Sequence, residues 1–578
     1  MSNCNKHLLL FCISSFCLIL ALCCFLKGSI SDLHAAAELS IIPGNSSMYI
    51  KKYDLTIKGQ DKDGITYFFL PSYADAEIIS QRTSQYKVYC MDDSLLSKPA
   101  YGVVQEVTVD PGDGNRIPWK ISFMHSANLY TANIELNDAD VYSIDHDKYT
   151  PSSLSVYSPY GKMEYTSDSV LIKGRGNTTW DAVKQPYEIK LPDTFPLCGM
   201  DSSSKWVLLA NFFDDTKILN KMAMDLSDSI GMEYAIQSDW IDLYINGEYR
   251  GNYLLCKEPG ISKGRLRIND GFLVEKDVRG AVENDPNSFM SGDDLFRIKD
   301  PLPISENEKV EISFYVKSID TKLHNMSSSE PFTDINSYSF TRRFMIDEFF
   351  NNPDSMQMSC YFYKHEGVLY AGPCWDYDLS CGKSLNGMDY YDHSKSILDD
   401  LSKDSLDWDS LLMQNHPYKA DYDALFTEAC PILFDSIQNR VDTYAEKISP
   451  SVEMDRALWQ NDEIPVRFYA STSNKYRFVK YYLYERLKLL ASECDYGSDL
   501  PVMDLSDNTI HTVSFKTESD LYSIEVSDGS LLSEAELPPY DKTRYSGWMY
   551  IREQKPFSPY LPVYEDISLE LLPLQEDE

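Results

Sequence analysis

The segment that most constrains this chain is residues 352–382, NPDSMQMSCYFYKHEGVLYAGPCWDYDLSCG. It places an acid, Asp354, in a loop after a helical run. Two short tyrosine- and valine-containing runs, 361–363 and 368–370, flank His365-Glu366-Gly367, and this pattern predicts a β-hairpin. The hairpin delivers a second acidic cluster, Trp375-Asp376-Tyr377-Asp378, with Asp376 22 residues beyond Asp354. Two carboxylates on separate loops can hold Mg²⁺ between them and phosphate oxygens, because Mg²⁺ takes oxygen ligands and keeps several waters. Spacing alone leaves a second reading open, a pair of solvated loop acids, since 89 of the 578 residues are acidic.

Charge narrows the partners. A formal net charge of −36 argues strongly against a nucleic-acid partner, since phosphate backbones demand a basic footprint. It favours cations such as Mg²⁺ or Ca²⁺ and basic protein segments. The length implies more than one domain, at about 100–200 residues each. The N-terminus reads as an export signal: Lys6 precedes an apolar run over 8–26, broken only by Ser14 and Ser15, with Ala35-Ala36-Ala37 downstream. At about 19 residues the run is long for a cleaved signal and long enough for a membrane anchor. Leu22 before Cys23 argues against a lipoprotein. Residues 1–37 are therefore expected to be a signal peptide or membrane anchor, with the rest extracytoplasmic, secreted or held at the cell surface. Five of the 13 cysteines lie in this leader, and none of the other eight forms a Cys-x-x-Cys pair, which argues against structural zinc. Buried free thiols are expected for those eight, although export would permit disulfides.

Residues 38–124 read as a β-rich accessory domain, with short apolar runs at 49–57, 66–71 and 103–109 punctuated by Gly, Asp and Pro. From 125 to 495 the pattern is mixed. A strand over 170–173 runs into Gly174-Arg175-Gly176-Asn177-Thr178-Thr179-Trp180, whose amides and guanidinium could meet phosphate oxygens. A tight strand-end turn is the plainer reading. Strands follow at 187–191, with Lys190 opposite Ile189, and at 206–210. A helix over 215–230 carries the stripe Leu219, Met222, Leu226, Ile230 and stops at Gly231. Asn220 and Lys221 flank that stripe and can reach a cleft. Asn246-Gly247 predicts a hairpin joining 239–246 to 249–257. Helices are expected at 305–325, 335–350, 420–448 and 474–492. Other motifs fail: Gly382-Lys383-Ser384 lacks the glycine five residues earlier, where Tyr377 stands. There is no His-Glu-x-x-His and no Gly-x-Ser-x-Gly. As half a Ca²⁺ loop, Asp376 and Asp378 lack the downstream bidentate Glu.

RGNTTWDAVKQPYEIKL (175–191), KWVLLANFFDDTKILNKMAMDL (205–226), WIDLYINGEYRGNYLLCKE (240–258) and GPCWDYDLSCG (372–382) together resemble the spore coat protein H (CotH) kinase family. The resemblance spans about 125–495. It implies an α+β fold with an atypical protein-kinase-like bilobal domain. It also implies transfer of the ATP γ-phosphate, with Mg²⁺ or Mn²⁺, to Ser or Thr of basic or Ser-rich proteins. By the same resemblance Asp354 is the catalytic-loop acid, base or metal ligand, and Asp376 is the metal aspartate with Asp378 beside it. Arg175 and Asn177 fall on the phosphate side, and Lys190 and Asn220 near the nucleotide. The chain departs from ordinary protein kinases twice. The 215–230 helix holds no glutamate to pair with Lys190, and Asn352-Pro353-Asp354 replaces His-Arg-Asp. A spore-coat setting is implied by the family name alone. Residues 511–573, with Gly547-Trp548 and 562–569, resemble the Listeria–Bacteroides (InlB B-type) repeat. That resemblance implies a C-terminal β-grasp and a surface partner, while residues 38–124 themselves read as an N-terminal β-sandwich-like domain. The rival readings are a catalytically inactive CotH-like surface adhesin, which could lose Asp354 and Asp376 at no cost, and a metal-dependent hydrolase.

Overall fold

The computed structural model describes residues 37–574 apart from 43, 75, 77, 82–85, 138, 263, 279–284, 356, 383–392, 401–406, 460–474, 534–535, 553–554 and 560. The expected leader with its run at 8–26 lies outside the described residues, as do Lys383 and Ser384. Among the described residues no helix is long and apolar enough to cross a membrane. The chain is mixed α+β and divides into two compact units.

The first unit comprises the described residues up to 174 with 240–253 and 448–459. Two sheets share a core there. One is ordered Leu55–Lys58, Ser47–Ile50, Ala37–Ser40, Ile79–Ser80, and the other Gln60–Lys62, Ile65–Leu70, Ile117–His125, Val104–Asp110, Lys87–Cys90. Strand alternation turns Met48, Ile50, Ile57, Val107, Ile121 and Phe123 inward, each contributing about 1.5–3 kcal/mol by burial. The run 49–57 is not one strand. Lys51–Tyr53 forms a 3₁₀ turn, and Asp54, at φ 48°, reverses the chain into Leu55–Lys58. Tyr130–Leu136, Thr150–Tyr157 and Met163–Gly174 then pair antiparallel in order, and Tyr130–Leu136 also pairs in parallel with Ser238–Ile245.

The second unit comprises residues 175–239, 254–447 and the described residues from 475 onward. Tyr187–Phe195 pairs antiparallel with Ser203–Leu209, which pairs in turn with residues 254–257 of the strand Glu248–Lys257. A five-stranded sheet is ordered Ser288–Ser291, Asp294–Asp300, Phe272–Lys276, Cys360–His365, Val368–Ala371. Val274, Phe296, Val316, Phe340, Phe362 and Trp408 form its core with the helix Glu306–His324. The helix Ser337–Phe350 is buried without a break from Ser339 and touches Leu219–Ser229, His416–Asp435 and Lys475–Glu493. The helical run expected over 420–448 is interrupted by a π turn at Ser436–Arg440 before Val441–Trp459. The C-terminal sheet is ordered Leu521–Ser527, Ile510–Lys516, Ile567–Pro573, Tyr545–Tyr550, Lys555–Pro556 around Val513, Phe515, Trp548 and Leu569. All eight described cysteines are free thiols, six of them buried.

Candidate active site

Every candidate residue from the sequence lies in the second unit, and the helix Ser337–Phe350 organises the two acidic loops. Asn336 caps it by accepting the Ser339 N–H at 2.7 Å. It ends at Asn351, φ 48°, whose side-chain amide donates to the Tyr482 hydroxyl at 2.7 Å. Asp354 follows in a tight turn, half-buried. Its N–H donates to Asn352 Oδ1 at 3.2 Å, and its carbonyl accepts the Met358 N–H at 2.9 Å. The chain then enters the hairpin Cys360–His365 and Val368–Ala371, in which Phe362 pairs with Ala371.

The hairpin leads to the second loop through Gly372, φ 118°, where a Cβ would come within 2.7 Å of the Met232 methyl. Asp376 sits at φ 69° and accepts the Ser359 hydroxyl at 3.2 Å, so the second acid is tied to the turn that carries the first. The next N–H, from Tyr377, donates to Asn220 Oδ1 at 2.7 Å, and Asn220 Nδ2 donates to Asn211 Oδ1 at 3.0 Å. Asn220 is therefore buried and set against the acidic loop. The Tyr377 hydroxyl donates to Asp347 Oδ1 at 2.5 Å, and the Arg343 guanidinium holds Asp347 Oδ2 at 2.5 Å while also pairing with Asp409. Burial keeps the Asp347 carboxyl above the usual carboxylate range, against the pull of Arg343 and of the hydrogen bond from Tyr377. At the far end of the loop the Cys381 N–H donates to the Phe350 carbonyl at 2.9 Å. One buried helix thus positions both acids. Asp378 beside them is 5% exposed.

Arg175 reaches the same loop from the other side, its guanidinium 5.4 Å from the centre of the Trp375 ring. Its N–H donates to the Pro186 carbonyl at 3.3 Å. Gly176, φ 83°, has room for no Cβ because the Thr179 hydroxyl fills that space. Asn177 lies in the same turn, half-buried, and its carbonyl accepts the Trp180 N–H at 2.9 Å. Lys190 is exposed and stands directly across the ladder from Lys205, so the two side chains share a face. Lys205 Nζ meets Glu258 Oε2 at 3.3 Å. Burial pushes the Glu258 carboxyl up, yet the charges of Lys205, Lys299, Arg265 and Arg175 outweigh it and hold the group below its ordinary value. A lysine–glutamate pair therefore exists, built from two strand ends and not from the helix after them.

Among the described residues no three His, Cys, Asp or Glu side chains gather closely enough to form a metal cage. The oxygen donors of Asp354, Asp376 and Asp378 nonetheless suit Mg²⁺, which commonly takes one or two carboxylates and completes its shell with water and phosphate. Backbone strain concentrates here as well. Among the described residues, six of the fifteen non-glycine residues with positive φ are Asn211, Lys217, Asn351, Ser359, Asp376 and Cys381, all on the segments that build these loops.

Sequence reading missed Asp347, Tyr377, Lys205 and Glu258. Each lies within or near a recognisable segment, but only tertiary pairing shows its role. Two comparisons add to this geometry. The chain matches the family described as CotH kinase protein over residues 172–490, more than half of its length. No curated protein matches it. The match takes in the Arg175 turn, the Lys205–Glu258 pair, both acidic loops and the helix that joins them, and the chain belongs to the CotH kinase family.

Proposed function

We propose that this chain is an exported, atypical Ser/Thr protein kinase that transfers the γ-phosphate of ATP to protein hydroxyls. The observation that carries this reading is that the turn bearing Asp354 is held to the Asp376 loop: Ser359 at its end donates to Asp376, and Asp347, whose carbonyl accepts the Asn352 N–H, accepts the Tyr377 hydroxyl. Phosphoryl transfer needs alignment and charge neutralisation more than covalent chemistry. Asp376 and Asp378, with Asp354, would hold Mg²⁺ or Mn²⁺, which when bound neutralises charge on the phosphate oxygens. Asp354 accepts the proton of the acceptor hydroxyl as that oxygen bonds to the γ-phosphorus and the bond to the β-phosphate oxygen breaks. Arg175 and Asn177 approach the phosphates from their turn. Lysines directly opposite on a sheet repel each other, and Lys190 and Lys205 are relieved by Glu258 and by a bound polyphosphate.

On this reading residues 125–495 form a kinase-like two-lobed domain, behind a β-sandwich accessory domain at 38–124. Residues 511–573 are a β-grasp repeat that makes a surface contact, and residues 1–37 export or anchor the chain. The acceptor is basic or Ser-rich, in keeping with the −36 charge.

The test is transfer of labelled γ-phosphate by residues 38–578, with Mg²⁺ or Mn²⁺, to a basic Ser-rich protein and to the chain itself. Wild type should label Ser or Thr, and Asp354→Ala and Asp376→Ala should each lose at least about a hundredfold. Absence of label together with absence of stabilisation by nucleotide would leave a surface-binding protein in its place.

A further inference from the structure

The strand that ends beside Glu258 has a second face. Lys257 is the register partner of Trp206, one residue on from Lys205, so strand alternation sends Lys257 away from the Lys205–Glu258 face. On that side lies a cavity of about 240 Å³, walled by residues 232–237 and by Lys257, Arg265 and Arg267. The Lys257 side chain is only 9% exposed. Its ammonium spends one hydrogen bond on Gln237 Oε1, at 3.0 Å, and the Asp201 carboxylate stands 3.9 Å away. Burial lowers the Lys257 ammonium from its ordinary value, Arg267 acts in the same direction, and Asp201 opposes them.

The loop that brings the arginines is tightly built. A Cβ at Gly264 would run into the Ser202 carbonyl, and one at Gly260 into the Arg265 guanidinium. Residues 257–267, KEPGISKGRLR, carry four cations and one acid in a chain whose net charge is −36. Cations gathered on one cavity repel each other, and a bound anion removes that cost. The acids of the lining, Asp201, Asp228 and Glu233, are exposed at the rim. Arg267 is exposed beside these acids and Lys257 lies buried beneath them, so the acids oppose a polyphosphate while the two cations admit a single phosphate on a neutral or cationic carrier.

We propose that this cavity binds one phosphate monoester group, of the kind a phosphorylated serine side chain carries. Lys257 and Arg267 contact the phosphate oxygens, while Arg265, paired with Glu258 and Asp300, holds the loop through Ser262 and the Pro259 carbonyl. Met232 in the cavity wall touches Cys374 before the second acidic loop, but Asp354, Asp376 and Asp378 do not line the cavity, and binding there needs neither nucleotide nor metal.

The test is calorimetric titration of residues 38–578, free of nucleotide and divalent metal, with a short Arg-phosphoserine-Gly peptide, its unphosphorylated form, inorganic phosphate and ATP. The phosphopeptide should bind at least about tenfold more tightly than the serine peptide, and Arg267→Gln and Lys257→Met should each remove most of that margin. Arg267 is exposed, so Arg267→Gln reads the site even if Lys257→Met fails to fold. Inorganic phosphate should compete with the phosphopeptide, and ATP should not. Equal binding of the two peptides overturns the proposal, and so does a preference unchanged by Arg267→Gln. ATP displacing the phosphopeptide through the same residues also overturns it, by making the cavity part of the nucleotide site.

Discussion

At the scale of single residues, Tyr377 shows how a side chain without chemistry of its own can govern a site. Its N–H holds Asn220 and its hydroxyl holds Asp347, so the residue between the two acids Asp376 and Asp378 is fixed at both ends. Tyr377→Phe keeps the ring and removes only the hydroxyl bond. The change leaves a buried carboxylate with one partner fewer, at a cost of about 1–3 kcal/mol in stability. If the hydroxyl only supports the fold, melting temperature falls and nothing else moves. If it positions the acids, the Mg²⁺ concentration needed for half-maximal phosphotransfer should also rise several-fold, while the KM for acceptor protein stays near wild type. A metal titration of both proteins, beside their melting curves, separates the two. An unchanged Mg²⁺ requirement would rule out the positioning role.

At the scale of elements, what could be read from sequence followed how local the cause was. The Asn246-Gly247 turn, the hairpin around Gly367 and the helix Ser337–Phe350 follow from neighbouring residues and stand where expected. The helix expected from 215 begins at Leu219, because Asp214 accepts the N–H groups of Thr216 and Leu219, each at 2.9 Å, and Lys217 sits at φ 62°. That capping turn was visible only as Asp214-Asp215-Thr216. Phe272–Lys276 was missed because all five residues are buried, so no alternation marks it as a strand. The Lys205–Glu258 pair joins residues far apart in sequence, and no local pattern announces it. A further element contact carries a pH dependence. Asp242, on Ser238–Ile245, is fully buried and accepts the hydroxyls of Ser126, Ser451 and Tyr249, so it docks the end of Val441–Trp459 onto the strands. Burial lifts its carboxyl to about 6, against those three hydrogen bonds, and the nearby charge of Asp455 adds to the rise. Its contribution is complete below the unfolded value, near 3.8, and is lost as pH rises through about 6, a swing of roughly 3 kcal/mol at most. Melting temperature from pH 4 to 7 should therefore fall more steeply for wild type than for Asp242→Asn. Parallel curves would mean that the carboxyl does not titrate in this window.

At the scale of the whole molecule, the net charge of −36 acts on every partner at once. Some of its 53 cations are gathered locally, around Glu258 and in the segment 257–267, so the general field is negative while these clusters are positive. On the proposed function a basic acceptor would be drawn in by the long-range field, whereas a nucleotide would have to cross it to reach Arg175 and Lys205. Salt distinguishes the two because the Debye length shrinks from about 30 Å at 0.01 M to about 8 Å at 0.15 M. Long-range attraction and repulsion are both screened over that range, while contacts within the site are screened much less. Raising NaCl from about 20 to about 200 mM at saturating Mg²⁺ should therefore raise the KM for a basic protein acceptor several-fold. The KM for MgATP should stay level or fall over the same series. Steady-state kinetics with each substrate varied in turn would check it, using a neutral Ser-containing peptide as a control whose KM should not respond. A parallel rise in KM for both substrates would mean that the nucleotide meets only the local cations, and that the −36 field plays no part in sorting what reaches the acids.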